Sequence, residues 1–273
     1  MRDRYPGALV ALSAAALALA LGALPGTAYA AGKEHSARAG ETWLSRKGYW
    51  PLETAPGGIA PNMEPDGLPL ALNGDAWIYH NDDIFGDPAL VDKGDLRLDG
   101  DGDWAATSAP PVSGDGSFTL AARARLAATD NRTQTVLSLP GADTDRLAIR
   151  YQAANGKWEV AVSTEDEANA SQVVITEEQA LPEDDPGNVG DHLAVVYDAS
   201  AHELRFYVNG QLSNTSTAVD TTSWTASGGL QVGRSAIHGE YFAGTVDEVR
   251  AYSGAADPTT IAMMSSLTGL PDL

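Results

Sequence analysis

The sequence predicts an all-β fold, two antiparallel sheets packed face to face as a sandwich, with one short C-terminal helix. Three observations predict it. Short runs alternate apolar and polar residues with the period of two that a half-buried strand shows. In residues 117–126, Phe118, Leu120, Ala122, Ala124 and Leu126 share one face while Thr119, Arg123 and Arg125 share the other. Turn-forming pairs such as Pro140-Gly141, Asn155-Gly156 and Asn209-Gly210 separate such runs at regular spacing. Convincing helical character is confined to one place, where Asp257 can cap an N-terminus, Pro258 suits the first helical position, Ile261, Met264 and Leu267 fall on one side, and Gly269 and Pro271 stop the helix.

The N-terminal residues have a different character. Arg2 and Arg4 precede an apolar run over residues 8–24, and Ala28-Tyr-Ala30 has the small-x-small pattern of a signal peptidase site. The run is shorter than the roughly 20 residues that span a bilayer, so residues 1–30 are expected to be a cleaved signal peptide. A soluble, extracellular product without membrane insertion would follow. Residues 31–47 are polar and aperiodic and read as a flexible arm, although Trp43-Leu44 could dock. Residues 268–273 read as a tail, which leaves 48–267 as the domain. The remaining chain is long enough to bury a core without crosslinks, as it must, because it contains no cysteine. The net charge of −20 makes nucleic acid and anionic membranes poor partners. An acidic surface also serves solubility without any ligand.

The strands follow in order. Tyr49-Trp-Pro-Leu52 reads as a first strand, where a proline is tolerable. A Pro- and Gly-rich loop over 53–67 precedes strands at 68–72, 75–79 and 94–98. After 117–126 come 135–139, then 146–152, which turns through Asn155-Gly156 into Lys157–Ser163. The acidic stretch 164–168 is a loop, 171–176 a strand, and the stretch through Pro182 and Pro186 another loop. Strands at 192–198, Glu203–Val208, Gln211–Thr217, 230–233 and 242–252 complete the set. In the last of these, Phe242, Gly244 and Val246 share a face, but the apolar phase slips at Asp247-Glu248, which a β-bulge would explain.

Several segments then carry a resemblance. Gly48-Tyr-Trp-Pro-Leu52, Leu96-Arg-Leu-Asp-Gly100, Ser117-Phe-Thr-Leu120, His192-Leu-Ala-Val-Val-Tyr-Asp198, Phe206-Tyr-Val-Asn-Gly210, Leu230-Gln-Val-Gly-Arg234 and Phe242-Ala-Gly-Thr-Val-Asp-Glu-Val-Arg-Ala-Tyr252 stand in this order. Together they resemble the concanavalin A-like jelly roll of the laminin G-like (LamG) type over about residues 48–267. The resemblance implies one concave and one convex sheet and a role among extracellular recognition proteins, often with glycan ligands. It also implies a structural calcium at Asp247 with groups near Asp66-Gly67; a salt bridge or backbone cap by Asp247 is the other reading. The Ala-, Gly- and Asp-rich composition with this leader has a bacterial character.

Candidate chemistry is sparse. Asp99-Gly-Asp-Gly-Asp103 opens like an EF-hand loop, but Trp104 stands where the glycine belongs and Pro110 where the bidentate glutamate belongs. It reads as an acidic turn that could still meet a metal at the rim. Glycosidases of this fold place two glutamates and an aspartate at alternating positions of one strand. No Glu-x-Asp-x-Glu or Glu-x-Asp-x-x-Glu pattern occurs; Glu165-Asp166-Glu167, Glu177-Glu178 and Glu183-Asp184-Asp185 all fall in loops. No Ser/His/Asp arrangement is signalled. His192 is expected to pack at the start of its strand, and His80 and His35 to sit in polar segments. Aromatic rings that could stack on a sugar are Trp77, Trp104, Trp224 and Tyr241, with His238 nearby, while Trp50 and Trp158 suit the core. The expectation is a secreted, non-catalytic binding module for a glycan or cell-surface ligand, acting as a monomer, through Trp104, Trp224, His238 and Tyr241. The alternatives are a glycoside hydrolase or polysaccharide lyase of the same superfamily, or a protein-binding surface element.

Overall fold

A computed structural model describes residues 43–81, 88–127, 131–178, 190–217, 219–220 and 224–266. The expected signal peptide, residues 31–42 of the arm, the loop through Pro182 and Pro186, and the tail lie outside the described residues. The described strands are β1 (Ser45–Trp50), β2 (Ile59–Ala60), β3 (Leu70–Asn73), β4 (Trp77–His80), β5 (Gly94–Asp99), β6 (Trp104–Ala106), β7 (Phe118–Leu126) and β8 (Gln134–Pro140). The chain continues with β9 (Asp145–Gln152), β10 (Lys157–Ser163), β11 (Gln172–Thr176), β12 (Asp191–Asp198), β13 (Glu203–Val208), β14 (Gln211–Thr217), β15 (Gln231–Val232) and β16 (Ala243–Ser253), and ends in helix α1 (Pro258–Ser265).

The strands form two sheets. The first runs β14-β13-β12-β7-β16-β5-β4, with β1 added to β16; the second runs β11-β10-β9-β8-β15-β6-β3-β2. The inner faces supply one apolar core that includes Leu120, Leu137, Ile149, Trp158, Val195, Phe206, Phe242 and Val246. Trp50 and Trp158 are fully buried, as expected. The turn after β13 has two residues, Asn209 and Gly210, at φ +51° and +77°, which is what the Asn-Gly pair permits there.

The structure departs from the sequence reading in small ways. β1 begins at Ser45 and pairs Ser45 with Ser253, so three residues assigned to the arm belong to a sheet. β2 and β6 are too short for alternation to register. The phase slip in the last strand is a bulge. The β16–β7 register breaks between Asp247 and Arg250, and Glu248 adopts φ +53°. The bulge falls where β16 changes its neighbour from β5, paired through Val246, to β1, paired from Val249.

Helix α1 explains why the outer face of the first sheet is apolar at one end. Asp257 Oδ1 accepts the N–H groups of Thr259 and Thr260. Ile261 and Met264 are then buried against Ala121, Ala194, Val196, Tyr207 and Tyr252. Among the described residues no helix is long and apolar enough to cross a membrane.

Candidate functional site

The outer face of the second sheet is covered by a loop over residues 233–242. Its neck is closed where Phe242 N–H donates to the Gly233 carbonyl at 2.9 Å. The strands beneath present polar side chains that hold it down. Ser138 Oγ donates to the Arg234 carbonyl at 3.0 Å, and Thr135 Oγ1 donates to a Glu240 carboxylate oxygen at 2.8 Å. Ser235 Oγ donates to Asp145 and accepts the His238 N–H. The loop thereby carries Arg234, His238, Glu240 and Tyr241 over the sheet.

One aromatic group meets the loop. In β6, Ala105 points into the core, so Trp104 points outward. The Arg234 guanidinium carbon stands 3.7 Å from the Trp104 ring centroid, and its Nε donates to Gln231 Oε1 at 2.9 Å. The Tyr241 ring lies 6.2 Å from Trp104 at an interplanar angle of 49°. Arg46, Arg97, Arg150, Arg205 and Arg250 are each paired with a carboxylate. Among the described residues Arg234 has no such partner, so its terminal nitrogens are uncommitted on a half-buried, pre-positioned side chain.

Three carboxylates share this face. Glu159 accepts from Arg150 Nε at 2.8 Å and from Gln152 at 3.4 Å. Glu240 lies 3.8 Å from the same guanidinium. Asp145 has one oxygen held by Ser235 and the other buried without a partner. Burial pushes its carboxyl above the usual range; Ser235, His238 and Ser138 oppose the shift and Glu240 adds to it. Glu159 and Glu240 thus anchor Arg150 and the loop.

Of the aromatic and histidine candidates, Trp104 and Tyr241 come together and exposed His238 sits on the same loop. Trp224 does not join them. Its Nε1 donates to the Ser163 carbonyl at 3.1 Å and its ring carries Arg146 at 5.0 Å. Ser163 ends β10, four strand positions from β6, or about 19 Å at about 4.8 Å per strand. Trp224 fastens that end of the sheet. Arg146 is fully buried there and donates to the Gly114 carbonyl at 2.7 Å; burial lowers its pKa to about 10. The acidic loop after β10 has a structural use too, because Asp166 accepts the N–H groups of Ala142, Asp143 and Thr144.

Asp247 is fully buried at the bulge. One oxygen accepts the Val91 N–H at 2.9 Å and the other the Glu248 N–H at 2.7 Å. Burial and then the neighbouring Glu248 push its carboxyl up to about 9; the Glu248 N–H opposes this, and Asp95 and Glu53 add to it. Glu53 Oε1 is itself buried without a hydrogen-bond partner. Asp95 is paired with Arg97, Glu248 with Arg250, and Arg123 stands near Asp247, which leaves Glu53 as the carboxylate without compensation among the described residues; a hard cation such as calcium would supply it. Among the described residues no three Asp, Glu, His or Cys side chains form a metal cage by themselves, so a cation would need carbonyl oxygens as well. Asp66 and Gly67, the expected partners of Asp247, lie in an exposed turn. There the Gly67 N–H donates to the Glu64 carbonyl, and the neighbouring Asn62 binds the β1 backbone at Tyr49. The groups placed around Asp247 come from Glu53, the segment 90–95, Arg123 and Glu248.

The remaining candidates have plain roles. Asp99-Gly-Asp-Gly-Asp103 is a turn in which Asp99 accepts the Asp101 N–H at 2.7 Å. His192 is fully buried and both ring nitrogens lack partners. Burial, then Arg123 and Arg250, lower its pKa to about 3, which keeps it neutral.

Residues 99–262 match the family model described as the concanavalin A-like lectin/glucanases superfamily. No curated protein matches the chain in sequence. Among solved structures, the binding domain of Paraclostridial Mosquitocidal Protein 1 superposes with a TM-score of 0.60 at 9% identity, covering 81% of this chain and 52% of that one. The botulinum neurotoxin serotype G binding domain gives 0.60 at 11%, covering 81% and 50%. The chain therefore spans about half the length of these toxin domains. Domain 4 of AbnA, a GH43 extracellular arabinanase from Geobacillus stearothermophilus in complex with arabinotriose, gives 0.56 at 16%, covering 82% and 99%. At these identities the likeness is one of fold.

Proposed function

Because the chain belongs to the concanavalin A-like lectin/glucanase superfamily, we propose that it is a secreted, non-catalytic module that binds glycan chains through the outer face of its second sheet. The observation that carries this reading is Arg234. A guanidinium positioned over Trp104, anchored through Nε to Gln231 and free of any carboxylate among the described residues, is a ready donor for an oxygen-rich ligand. Tyr241 and His238 stand on the same loop and add an aromatic edge and a polar group. The carboxylates of the face are engaged with Arg150, Thr135 and Ser235, which supports recognition over hydrolysis. The arabinotriose held by the AbnA domain makes arabinan a natural first probe.

The test is calorimetry and polymer pull-down with arabinan and other plant and bacterial polysaccharides, on the wild type and on Arg234→Gln and Trp104→Ala. Retention lost in both variants is the expected result. Retention untouched by either removes this face from consideration, and reducing-end release that Glu240→Gln abolishes replaces binding with hydrolysis.

A structural calcium belongs to the same proposal. Asp247 and Glu53 would hold it together with carbonyls of the segment 90–94, and it would tie that segment to the last strand. When bound it would keep Asp247 ionised and supply no reaction chemistry.

A further inference from the structure

On the other sheet a tryptophan is exposed in a way that packing does not require. Trp77 lies on β4, the edge strand of the first sheet, and is 53% exposed. It borders a cleft of about 240 Å³ that Arg97, Leu98, Asp99, Asp103, Gly244 and Thr245 also line. The indole is braced. Its ring meets Tyr79 edge-on at 5.8 Å and 82°. The opposite support of Tyr79 is Arg97, whose guanidinium carbon is 4.3 Å from that ring, and Asp95 fixes Arg97 through Nε at 2.6 Å. A chain of contacts thus runs from a buried carboxylate to an exposed indole and holds the ring before any ligand arrives, which lowers the entropy cost of binding.

We propose that the Trp77 cleft is a second saccharide site that takes one uncharged pyranose ring, its C–H face on the indole and its hydroxyls toward Asp99 and Asp103. The size of the cleft sets the single ring, since it is smaller than the roughly 300–1,000 Å³ of pockets that hold drug-sized ligands. The lining sets the absence of an acid group: the guanidinium that lines the cleft, Arg97, is already engaged by Asp95, and Asp99 and Asp103 offer acceptors, so among the described residues the lining presents acceptors for hydroxyls and no free cation for a carboxylate. The site stands on Trp77 and the cleft, independently of the Arg234 face.

The test uses the full chain labelled with 5-fluorotryptophan. Each of its six tryptophans carries one fluorine, and the resonance that Trp77→Phe removes is that of Trp77. The probes are the methyl glycosides of glucose, galactose, mannose and N-acetylglucosamine, with methyl glucuronoside as the charged control. At least one neutral glycoside is expected to move the Trp77 resonance saturably, while the buried Trp50 and Trp158 resonances stay fixed and the glucuronoside does nothing. Trp77→Ala should weaken that glycoside by about tenfold or more in calorimetry, Trp77→Phe by about threefold or less, and Arg234→Gln should leave it unchanged. The inference is overturned if no neutral glycoside moves the Trp77 resonance, if the glucuronoside does so alone, or if Arg234→Gln abolishes the response. A response of Trp104 without Trp77 would sink the second site and leave the glycan reading intact.

Discussion

Replacing Glu177 with glutamine should change how stability depends on pH. Glu177 follows β11 and is only 7% exposed. Its Oε1 accepts the Trp158 N–H at 2.7 Å, and its own N–H donates back to the Trp158 carbonyl at 2.9 Å. Burial is the main cause that pushes its carboxyl up to about 7 from 4.5; the Trp158 N–H opposes it, Asp191 adds to it and Lys157 opposes it. A folded-state value above the unfolded one means that between pH 4.5 and 7 the native chain keeps a proton the unfolded chain has released. Stability therefore falls as pH rises across that window and is flat on either side of it. The rise from 4.5 to about 7, at about 1.36 kcal/mol per pH unit, corresponds to about 3 kcal/mol. Glu177→Gln cannot ionise, and its amide oxygen can still accept from Trp158. Urea unfolding followed by tryptophan fluorescence should show the variant no more stable than the wild type near pH 4, and more stable by about 3 kcal/mol near pH 8. Taking the difference between the two proteins cancels the titration of distant groups. An identical difference at both pH values would refute the reasoning, because it would mean that the carboxyl ionises at its ordinary value in the fold.

Two further outcomes test the last strand and the hairpin. Calcium at about 100 times its dissociation constant should stabilise the wild type by about 2.7 kcal/mol and raise its Tm by several degrees; Asp247→Asn should remove that rise while the apo Tm stays the same or increases, as scanning calorimetry with calcium and with EGTA will show. Asn209→Ala should cost about 2 kcal/mol in urea unfolding, because φ +51° suits Asn over Ala and its side chain both accepts the His192 N–H at 2.9 Å and donates to Asp191 at 2.7 Å, whereas Asn209→Gly should lose only the side-chain share.

What the sequence reveals follows the range over which each feature is determined. The strand Glu203–Val208 and its Asn-Gly turn are legible to the residue, because alternation and positive φ are local properties. The bulge is legible for the same reason: a strand that must bury Val246 and also Val249 has to slip phase between them. β2 is not legible, since two residues, one of them an exposed isoleucine, carry no period. The candidate face is half legible. Trp104 and Tyr241 stand out as aromatics beside turns, but Arg234 finds Trp104 only because β15 pairs with β6, and sheet order is a property of the whole fold. Trp224 falls apart from Trp104 for the same reason, its indole bonding the end of β10 and carrying Arg146 of β9. The partners of Asp247 likewise depend on β5 lying beside β16, which brings Asp95 and the Val91 N–H to the bulge.

The two outer faces divide the work of the domain. On the first sheet, α1 and the segment 90–95 are tied to the strands by buried groups, and beside them lies a charge pair that cannot change singly: altering Glu248 or Arg250 leaves its buried partner uncompensated. On the second sheet the loop 233–242 is held by two of its own side chains, Ser235 on Asp145 and Glu240 on Thr135, and its neck is a backbone hydrogen bond between Gly233 and Phe242 that needs no side chain. Apart from the anchors Ser235 and Glu240, residues within that loop can therefore vary at small cost to the sandwich, while Phe242 and Val232 at its two ends stay fully buried. Substitutions on the loop side therefore leave the Asp247 region undisturbed, and that separation is a physical argument for the proposed arrangement, with glycan contacts on the loop and a structural cation at the bulge.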